Sequence, residues 1–314
     1  MPQDQRQALD DADRALLQLL DRLQAVGYGF VTPTPETHAR VVARPAPSAP
    51  TLRDVFGWSR AFRPGQLDDA LVALLERGGV LERTAEGLRS RVRASTLHGR
   101  LLLHSAYPTR EVDSVFFGPD SYRFADWVRR ALAAERLGRV VDIGAGAGAG
   151  GLALAGCAAV AGLTLTDINP KALRLARINA AHAGVPVETR EADDLAGLGR
   201  FDVALANPPY IIDPEGRAYR HGGDLHGGRL SVTMAEQALE ALNPGGRLFL
   251  YTGAAIVNGR NPVCEALQRL SDDRGCTFSC EELDPDVFGE ELSRPEYADV
   301  DRIAVIGAVA GKPA

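Results

Sequence analysis

The 314-residue chain has little of what marks membrane proteins, and its longest apolar stretch is short. That stretch, residues 152–165, has 14 residues, whereas a helix needs about 20 to span a bilayer. The chain also has only two methionines, two tryptophans and four cysteines. We therefore expect no transmembrane helix.

The few cysteines are scattered, at Cys157, Cys264, Cys276 and Cys280. No pair has a partner cluster with zinc-ligand spacing, so we expect four reduced thiols and no bound metal. Residues 1–6 are polar and lack the positive charge and apolar core of a secretory signal. Reduced thiols without an export signal indicate a cytoplasmic protein.

The charge is distributed unevenly along the chain, whose net charge is −6. Residues 1–134 carry +2 and the remaining 180 residues carry −8. Because binding to a phosphate backbone rests largely on basic contacts, this balance disfavours nucleic acid as the partner of the larger part. A protein substrate with a basic or neutral loop suits it better.

Helical spacing, prolines and turns divide the chain into four segments. They are an N-terminal helix over 1–31, a Pro-rich linker over 32–50, an accessory or substrate domain over 51–111 and a larger domain over 112–314. In the first segment, leucines at helical spacing predict a helix over 5–26. In the second, five prolines predict a loop or linker.

The accessory segment contains two predicted helices, over 52–58 and 67–75, followed by a predicted hairpin over 80–93. This order resembles a winged-helix unit, which in DNA binders places a helix in a groove and the hairpin on phosphate. Four hairpin arginines suit phosphate contacts or a solvated strand face equally: Arg83, Arg89, Arg91 and Arg93. The charge balance favours a docking or packing domain over direct nucleic-acid binding.

The larger segment begins its regular pattern with a β-branched run that ends in a glycine cluster, over 140–148. A strand, a glycine turn and a helix start form a cradle where backbone N–H groups meet a ligand. Asp167 ends the next predicted strand, 25 residues after Asp142, and could accept both hydroxyls of a ribose. These features alone fit a nicotinamide enzyme or an S-adenosylmethionine enzyme equally.

The tetrapeptide Asn207-Pro208-Pro209-Tyr210 follows a predicted buried strand, residues 201–206. Prolines restrict the backbone, so nearby carbonyls point in fixed directions. The side-chain oxygen of Asn207 and the carbonyl of Pro208 could each accept one hydrogen from an NH2 group, while Tyr210 stacks on the planar group that carries it. The alternative is a turn that merely ends the strand.

The order of these features resembles the class I S-adenosylmethionine-dependent methyltransferases, in the branch marked by Asn-Pro-Pro-Tyr. Four features follow one another in the order and spacing of that family. They are the glycine loop, the ribose-binding acid Asp167, the acid Asp193 after a third predicted strand, and the tetrapeptide, which begins 65 residues after Asp142. The resemblance covers residues 112–310. It implies an α/β, Rossmann-like sheet of about seven strands, mostly parallel with an antiparallel hairpin at one edge, beside a smaller N-terminal helical or winged-helix-like domain.

The resemblance also implies roles for individual residues. Asp142 would either bind the amino group of the cofactor or stabilise the glycine loop, and Asp167 would bind the ribose hydroxyls. Asp193 would accept from the adenine amino group. Three glycines would pass under the methionine portion: Gly144, Gly146 and Gly148. The tetrapeptide would present the acceptor nitrogen, with Asn207 adjoining the cofactor as well.

Two segments point to the release-factor glutamine methyltransferases within this family. Residues 116–122 are similar to the segment before their catalytic fold, although Gly118-Pro119-Asp120 stands in place of their Arg-Pro-Glu-Thr-Glu element. The glycine-rich stretch 220–228 is similar to a Gly-Gly segment of that group and suits a mobile lid. His221 and His226 within it could contact substrate or be solvated.

The resemblance therefore implies methyl transfer from S-adenosylmethionine to a planar amide nitrogen, with a protein glutamine as acceptor and no metal. A second hypothesis is methylation of an exocyclic amine of adenine or guanine in RNA or DNA, with a DNA base flipped out of the stack. A third is a non-catalytic nucleic-acid-binding protein with a winged-helix unit.

Overall fold

A computed structural model describes residues 9–213 and 220–314. The polar segment 1–6 and the first residues of the predicted helix 5–26 lie outside the described residues. No helix of the described part is both long and apolar enough to cross a membrane. Within the same part, no cluster of three or more His, Cys, Asp or Glu residues is arranged to hold a metal ion.

Four helices open the described chain, and each begins at a side chain that accepts a backbone N–H. They are α1 (Asp11–Ala25), α2 (Pro35–Val42), α3 (Leu52–Phe56) and α4 (Asp69–Arg77). The capping residues are Asp10, Thr34, Thr51 and Asp68. Short polar side chains stabilise a helix here because the first N–H groups have no partner inside it.

Helix α2 corrects the prediction that residues 32–50 form only a loop or linker. Thr34 caps the helix and Pro35 occupies its first position, where proline lacks only a donor that the helix does not use. Arg60 donates to the carbonyls of Val41 at 3.0 Å and Arg44 at 3.2 Å, which fixes the end of this helix to the next segment. One proline of this segment, Pro35, therefore marks a helix start. The four-segment division itself stays a prediction.

Two antiparallel hairpins follow the helices. The first pairs β1 (Leu81–Thr84) with β2 (Gly87–Ser90), in the region where the sequence predicts a hairpin. The second pairs β3 (Val92–Leu97) with β4 (Arg100–Ser105) and was not predicted. Its strands are buried on both faces, so they lack the alternation of a half-exposed strand. That the region is a winged-helix unit stays a prediction.

The remaining chain forms the predicted Rossmann-like α/β fold. Its strands are β5 (Arg136–Ile143), β6 (Ala159–Asp167), β7 (Glu188–Glu191), β8 (Phe201–Ala206), β9 (Leu242–Ile256), β10 (Thr277–Asp284) and β11 (Arg302–Gly311). Its helices are α5 (Pro119–Ala131), α6 (Ala149–Ala153), α7 (Pro170–Ala183), α8 (Arg229–Ala241) and α9 (Pro262–Asp272), with short 3-10 turns at Gly289–Ser293 and Pro295–Tyr297.

The seven strands form one mixed sheet in the order β10-β11-β9-β8-β5-β6-β7. Strands β5 to β9 are parallel, and β10 and β11 add the antiparallel edge that was predicted. Strand β5 pairs with both β6 and β8, so the strand order reverses beside it. Ligands of open α/β sheets bind at such a reversal, beyond the carboxyl ends of the strands. There Ile143 of β5 lies opposite Ala206 of β8, which precedes the tetrapeptide.

The N-terminal helices share a core with the cofactor half of the sheet domain. One cluster of buried side chains includes Leu16 and Leu20 of α1 together with Leu175 and Ile178 of α7. Arg174 of α7 pairs with Asp13 at 2.5 Å and donates to the carbonyl of Gly78 at 3.2 Å. Helix α1 is therefore part of the scaffold that supports α7.

The prediction of four reduced thiols is wrong for two of them. Cys264 on α9 and Cys280 on β10 form a disulfide, with Cα atoms 6.4 Å apart, while Cys157 and Cys276 are free. The two residues are 16 positions apart and belong to no short motif, so only the packing of α9 on β10 brings them together. The disulfide removes one of the two grounds for the cytoplasmic assignment.

We expect the Leu20→Ala variant to lower the free energy of unfolding by about 2–5 kcal/mol, because it empties a fully buried position. Unfolding in denaturant should remain one transition, because α1 and the sheet domain share a core. Gln24→Ala on the exposed side of α1 is the control and should change stability by less than about 0.5 kcal/mol. A separate early transition for the N-terminal helices would contradict the shared core.

Candidate active site

The loop between β5 and α6 has a backbone that only glycine adopts without strain. Gly144, Gly146 and Gly148 have φ angles of +65°, +55° and +85°. L side chains avoid this left-handed region because of their Cβ atoms. A Cβ built on Gly146 would meet no atom of residues 9–213 or 220–314 within 4 Å, so these residues leave open space in front of the loop. The three predicted cofactor glycines thus form a turn with room for a ligand.

Asp142 stabilises this loop from its buried side. Its side chain is 1% exposed, and Oδ2 accepts a hydrogen bond of 2.7 Å from the N–H of Gly151 in α6. Burial raises the pKa of Asp142 to about 7, the Gly151 N–H opposes that rise, and the charge of Asp167 adds to it. Of the two roles that the resemblance allows Asp142, this contact fits the fixing of the loop.

Asp167 at the end of β6 holds the other side of the loop. Its Oδ2 accepts from Gly146 N at 2.9 Å, and its Oδ1 accepts from Asn169 N at 2.9 Å. Burial raises its pKa, and these backbone donors partly offset the effect. Each carboxylate oxygen can accept a second hydrogen bond, so Asp167 can hold the loop and still accept from ribose hydroxyls.

Asp193 lies just beyond β7 and is exposed. Gln237 of α8 donates to its main-chain carbonyl at 3.3 Å. The side chain of its neighbour Asp194 accepts from the N–H of Ala196 at 2.9 Å. The adenine contact of Asp193 stays a prediction.

Asn179 of α7 is a supporting residue that the sequence did not reveal. Its Nδ2 donates to the carbonyl of Ala147 in the glycine loop at 3.0 Å and to that of Leu103 in β4 at 3.0 Å. Its Oδ1 accepts from the N–H of Leu103 at 2.7 Å. One fully buried amide therefore joins the cofactor loop to the N-terminal hairpin. An asparagine inside a helix gives no sequence signal of such a contact.

The tetrapeptide leaves β8 beside this loop with its two acceptors available. Asn207 is half-buried, and in the described part of the chain nothing hydrogen-bonds to its carboxamide or to the carbonyl of Pro208. A buried or half-buried acceptor without a protein partner is uncommon in a folded chain. Both acceptors are therefore free for a ligand.

Tyr210 lies differently from the predicted stacking surface. Its ring is 7% exposed and covers Gly253 of β9 so closely that a Cβ there would lie 2.1 Å from a ring carbon. Phe288 contacts it edge-on, with ring centroids 5.8 Å apart. In the structure the ring anchors the tetrapeptide to the sheet. Stacking on an acceptor stays a prediction that this geometry does not favour.

A buried polar group near Tyr210 has no signature in the sequence. Asp120, at the start of α5, accepts from the hydroxyl of Tyr251 at 3.1 Å and pairs with Arg123 at 3.0 Å. Burial raises the pKa of Tyr210 well above its usual value, and the negative charge of Asp120 adds to the effect. Asp120 belongs to the Gly118-Pro119-Asp120 segment that departs from the glutamine methyltransferases. No local pattern relates residues 120, 210 and 251.

The glycine-rich stretch 220–228 packs directly on the tetrapeptide. Gly222 donates to the carbonyl of Ile211 at 2.9 Å, and a Cβ on Gly222 would lie 2.7 Å from the carbonyl oxygen of Pro209. His221 accepts from the N–H of Asp213 at 3.2 Å, and His226 pairs with Asp299 at 3.0 Å. Both histidines thus make contacts within the protein. Their contact with substrate, and the opening of this stretch as a lid, stay predictions.

Parts of the chain are similar to known methyltransferases. A family model described as a methyltransferase small domain matches residues 126–261. A release factor glutamine methyltransferase from Deinococcus radiodurans is 41% identical over 126 residues, which are 36% of this chain and 44% of that protein. A ribosomal RNA small subunit methyltransferase C from Citrobacter koseri is 31% identical over 120 residues, 38% of this chain and 32% of that protein.

The matched segment spans about half the length of the release factor methyltransferases it resembles. In fold, the chain is similar to the crystal structure of Trm5b from Pyrococcus abyssi, with a TM-score of 0.51 and 16% identity over 79% of this chain and 68% of that one. The predicted resemblance to methyltransferases, and to release factor glutamine methyltransferases among them, is confirmed.

Asp142→Asn should reveal the raised pKa of Asp142, because asparagine keeps an acceptor for Gly151 but cannot ionise. The neutral carboxyl stabilises the fold fully below pH 4, and this contribution is lost as pH rises towards the folded pKa of about 7. Wild type should therefore lose stability relative to the variant between pH 4 and 7, by at most about 1.4 kcal/mol per pH unit. Denaturant titrations at several pH values measure this, and a constant difference would contradict the assignment.

Proposed function

We propose that this protein is an S-adenosylmethionine-dependent N-methyltransferase whose acceptor is a planar amide nitrogen, in a protein glutamine side chain. The observation that carries the proposal is the pair of unengaged acceptors, the carboxamide of Asn207 and the carbonyl of Pro208, beside the open glycine loop. The sheet places them there because β5 and β8 are neighbours at the strand reversal.

The residues around the loop fit the proposed cofactor. The space in front of Gly146 admits a ligand against the backbone, and Asp167 retains acceptor capacity for ribose hydroxyls. Gly144 and Gly148 would border the methionine portion, and Asp193 would accept from adenine. When bound, S-adenosylmethionine supplies a methyl group that is already activated for transfer.

Asn207 and Pro208 would act on the acceptor by position and by charge. Their two oxygens accept the two hydrogens of an NH2 group, which fixes its plane and its lone pair relative to the glycine loop. Fixed dipoles that act on charge developing in the transition state, together with correct positioning, each lower a barrier by several kcal/mol. The buried ring of Tyr210 anchors the tetrapeptide, which keeps the Asn207 and Pro208 oxygens in a fixed orientation.

The choice of acceptor rests on the relatives. The 41% identical release factor glutamine methyltransferase favours glutamine. The 31% identical ribosomal RNA methyltransferase keeps an exocyclic amine of a nucleobase as the second candidate, since the same two oxygens serve either NH2 group. A cytoplasmic location stays a prediction in both cases.

Asn207→Ala should lower kcat by about 100- to 1000-fold, because it removes one of two acceptors that act in the transition state. The effect on the Kd of S-adenosylmethionine should be much smaller. Asn243→Ala is the matched control, since Asn243 bonds Asp202 at 2.8 Å near the start of β8 and β9, away from the site. An equal loss of kcat in both variants would show that Asn207 has no specific role in the reaction.

The acceptor can be identified with labelled S-adenosylmethionine in a cell extract. We expect label that survives nuclease, is lost with protease and is absent with an Asp167→Ala preparation, which should not bind the cofactor. Label lost with nuclease would replace glutamine by a nucleobase as acceptor. If calorimetry shows that the wild-type protein does not bind S-adenosylmethionine, both enzyme proposals fail.

A further inference from the structure

A cleft of about 930 Å³ lies between helix α2, the segment that follows it and the β1–β2 hairpin. We call it the arginine cleft and define it by six of its lining residues: His38, Trp58, Arg60, Arg63, Arg89 and Tyr107. Its size is within the range of small-molecule sites, about 300–1000 Å³. None of these residues takes part in the proposed methyl transfer.

Two of the three arginines of the cleft, Arg60 and Arg89, are held in place by backbone carbonyls. Arg89 donates through Nε to Ser59 O at 3.1 Å and through Nη2 to the carbonyl of Tyr107. Arg60 donates through Nη2 to two carbonyls at the end of α2. In the described part of the chain, no hydrogen bond engages Nη1 of either side chain, and exposed Arg63 has no ion pair. Fixed guanidinium groups with free donors are suited to an oxyanion.

Positive charge exceeds negative charge around the cleft. Asp54 lies 3.7 Å from Arg60 Nε, and Glu86 also lines the cleft. Behind it, Arg93 is 4% exposed, and its buried Nε and Nη2 have no hydrogen-bond partner in the described part. Burial lowers the pKa of Arg93 only to about 10, so it remains charged at neutral pH. A buried cation without an acid raises the local positive potential and favours an anion nearby.

Aromatic rings form one wall of the cleft. The ring of His38 lies on that of Tyr107 with centroids 4.0 Å apart and 5.3 Å from that of Trp58. His38 is 1% exposed, and both of its ring nitrogens are buried. Burial, followed by the charge of Arg93, lowers the pKa of His38 to about 4, so the ring is uncharged at neutral pH and adds to the aromatic wall.

We propose that the arginine cleft binds a nucleotide, either free or as part of single-stranded RNA. The phosphate lies on Arg60, Arg63 and Arg89, and the base lies against Trp58 and Tyr107. Guanidinium groups bind carboxylates as well as phosphates, but half-buried rings beside them suit a planar base better than an acidic peptide. This site is separate from the tetrapeptide, so the proposal does not depend on the proposed methyl transfer.

Quenching of tryptophan fluorescence tests the proposal directly. Trp58 is one of only two tryptophans, and the other, Trp127, is buried and donates to Glu281 at 2.8 Å. Adenosine 5′-monophosphate and, separately, a single-stranded RNA of about 12 nucleotides are titrated into the full chain. We expect saturable quenching by at least one of them. Quenching by the mononucleotide assigns a free nucleotide, and quenching by the RNA alone assigns an RNA segment.

Matched variants locate the binding. Arg63→Gln and Trp58→Leu should each weaken binding by about tenfold, and Trp58→Leu should also abolish the quenching, so its affinity is read by anisotropy of labelled RNA or nucleotide. Arg83→Gln is the control, because Arg83 is exposed on the same hairpin but outside the cleft. Melting temperatures near that of wild type exclude misfolding as a cause. Arg89 is left intact because it holds two carbonyls.

Three results would overturn the proposal. The first is no quenching by either probe up to a concentration of about 1 mM. The second is an equal loss of affinity in Arg83→Gln and Arg63→Gln, which would indicate general attraction to a basic surface. The third is equal competition by polyglutamate, which would show that the cleft selects negative charge and not a nucleotide.

Discussion

The candidate site depends on a turn that only glycine can form. Three left-handed glycines carry the chain from β5 into α6. Two carboxylates fix this connection: Asp167 accepts from Gly146 N in the turn, and Asp142 accepts from Gly151 N in α6. A Cβ at any of these glycines would strain the backbone, and loss of the Asp142 carboxyl would leave the buried Gly151 N–H without a partner. The position of this turn therefore sets where a bound cofactor lies relative to the other residues of the candidate site.

The turn is also tied to parts of the chain far from the sheet edge. Asn179 links it to strand β4, and helix α7, which carries Asn179, packs on helix α1. The N-terminal region therefore supports the cofactor loop as part of one core. Substitutions in α1 or in the β3–β4 hairpin should alter the geometry of the cofactor loop, because packed interiors transmit strain.

The sequence predicted the features that follow from local constraints. A β-branched strand followed by glycines predicts a turn, and Gly144, Gly146 and Gly148 all have the positive φ angles that explain their presence. Parallel strands in a predictable order bring Asp142, Asp167 and Asn207 to one edge of the sheet. Helix α2 does not follow from the same patterns, because prolines usually interrupt helices, although Pro35 at the first helical position begins one.

Features that depend on tertiary packing could not be predicted in this way. The buried position of Tyr210 arises from Gly253 and Phe288, which lie far from it in sequence. The disulfide joins residues whose spacing fits no motif. The carbonyls that hold Arg60 and Arg89 belong to backbone, which carries no residue-type signal.

A crystal structure of the protein with S-adenosylhomocysteine and a glutamine-containing peptide tests most directly whether Asn207 and Pro208 accept hydrogen bonds from the acceptor amide. We expect the glutamine Nε2 atom at about 2.7–3.2 Å from both the Asn207 Oδ1 atom and the Pro208 carbonyl oxygen. A glutamine amide bound elsewhere, or an Asn207 carboxamide engaged only by the cofactor, would contradict the role given to this pair.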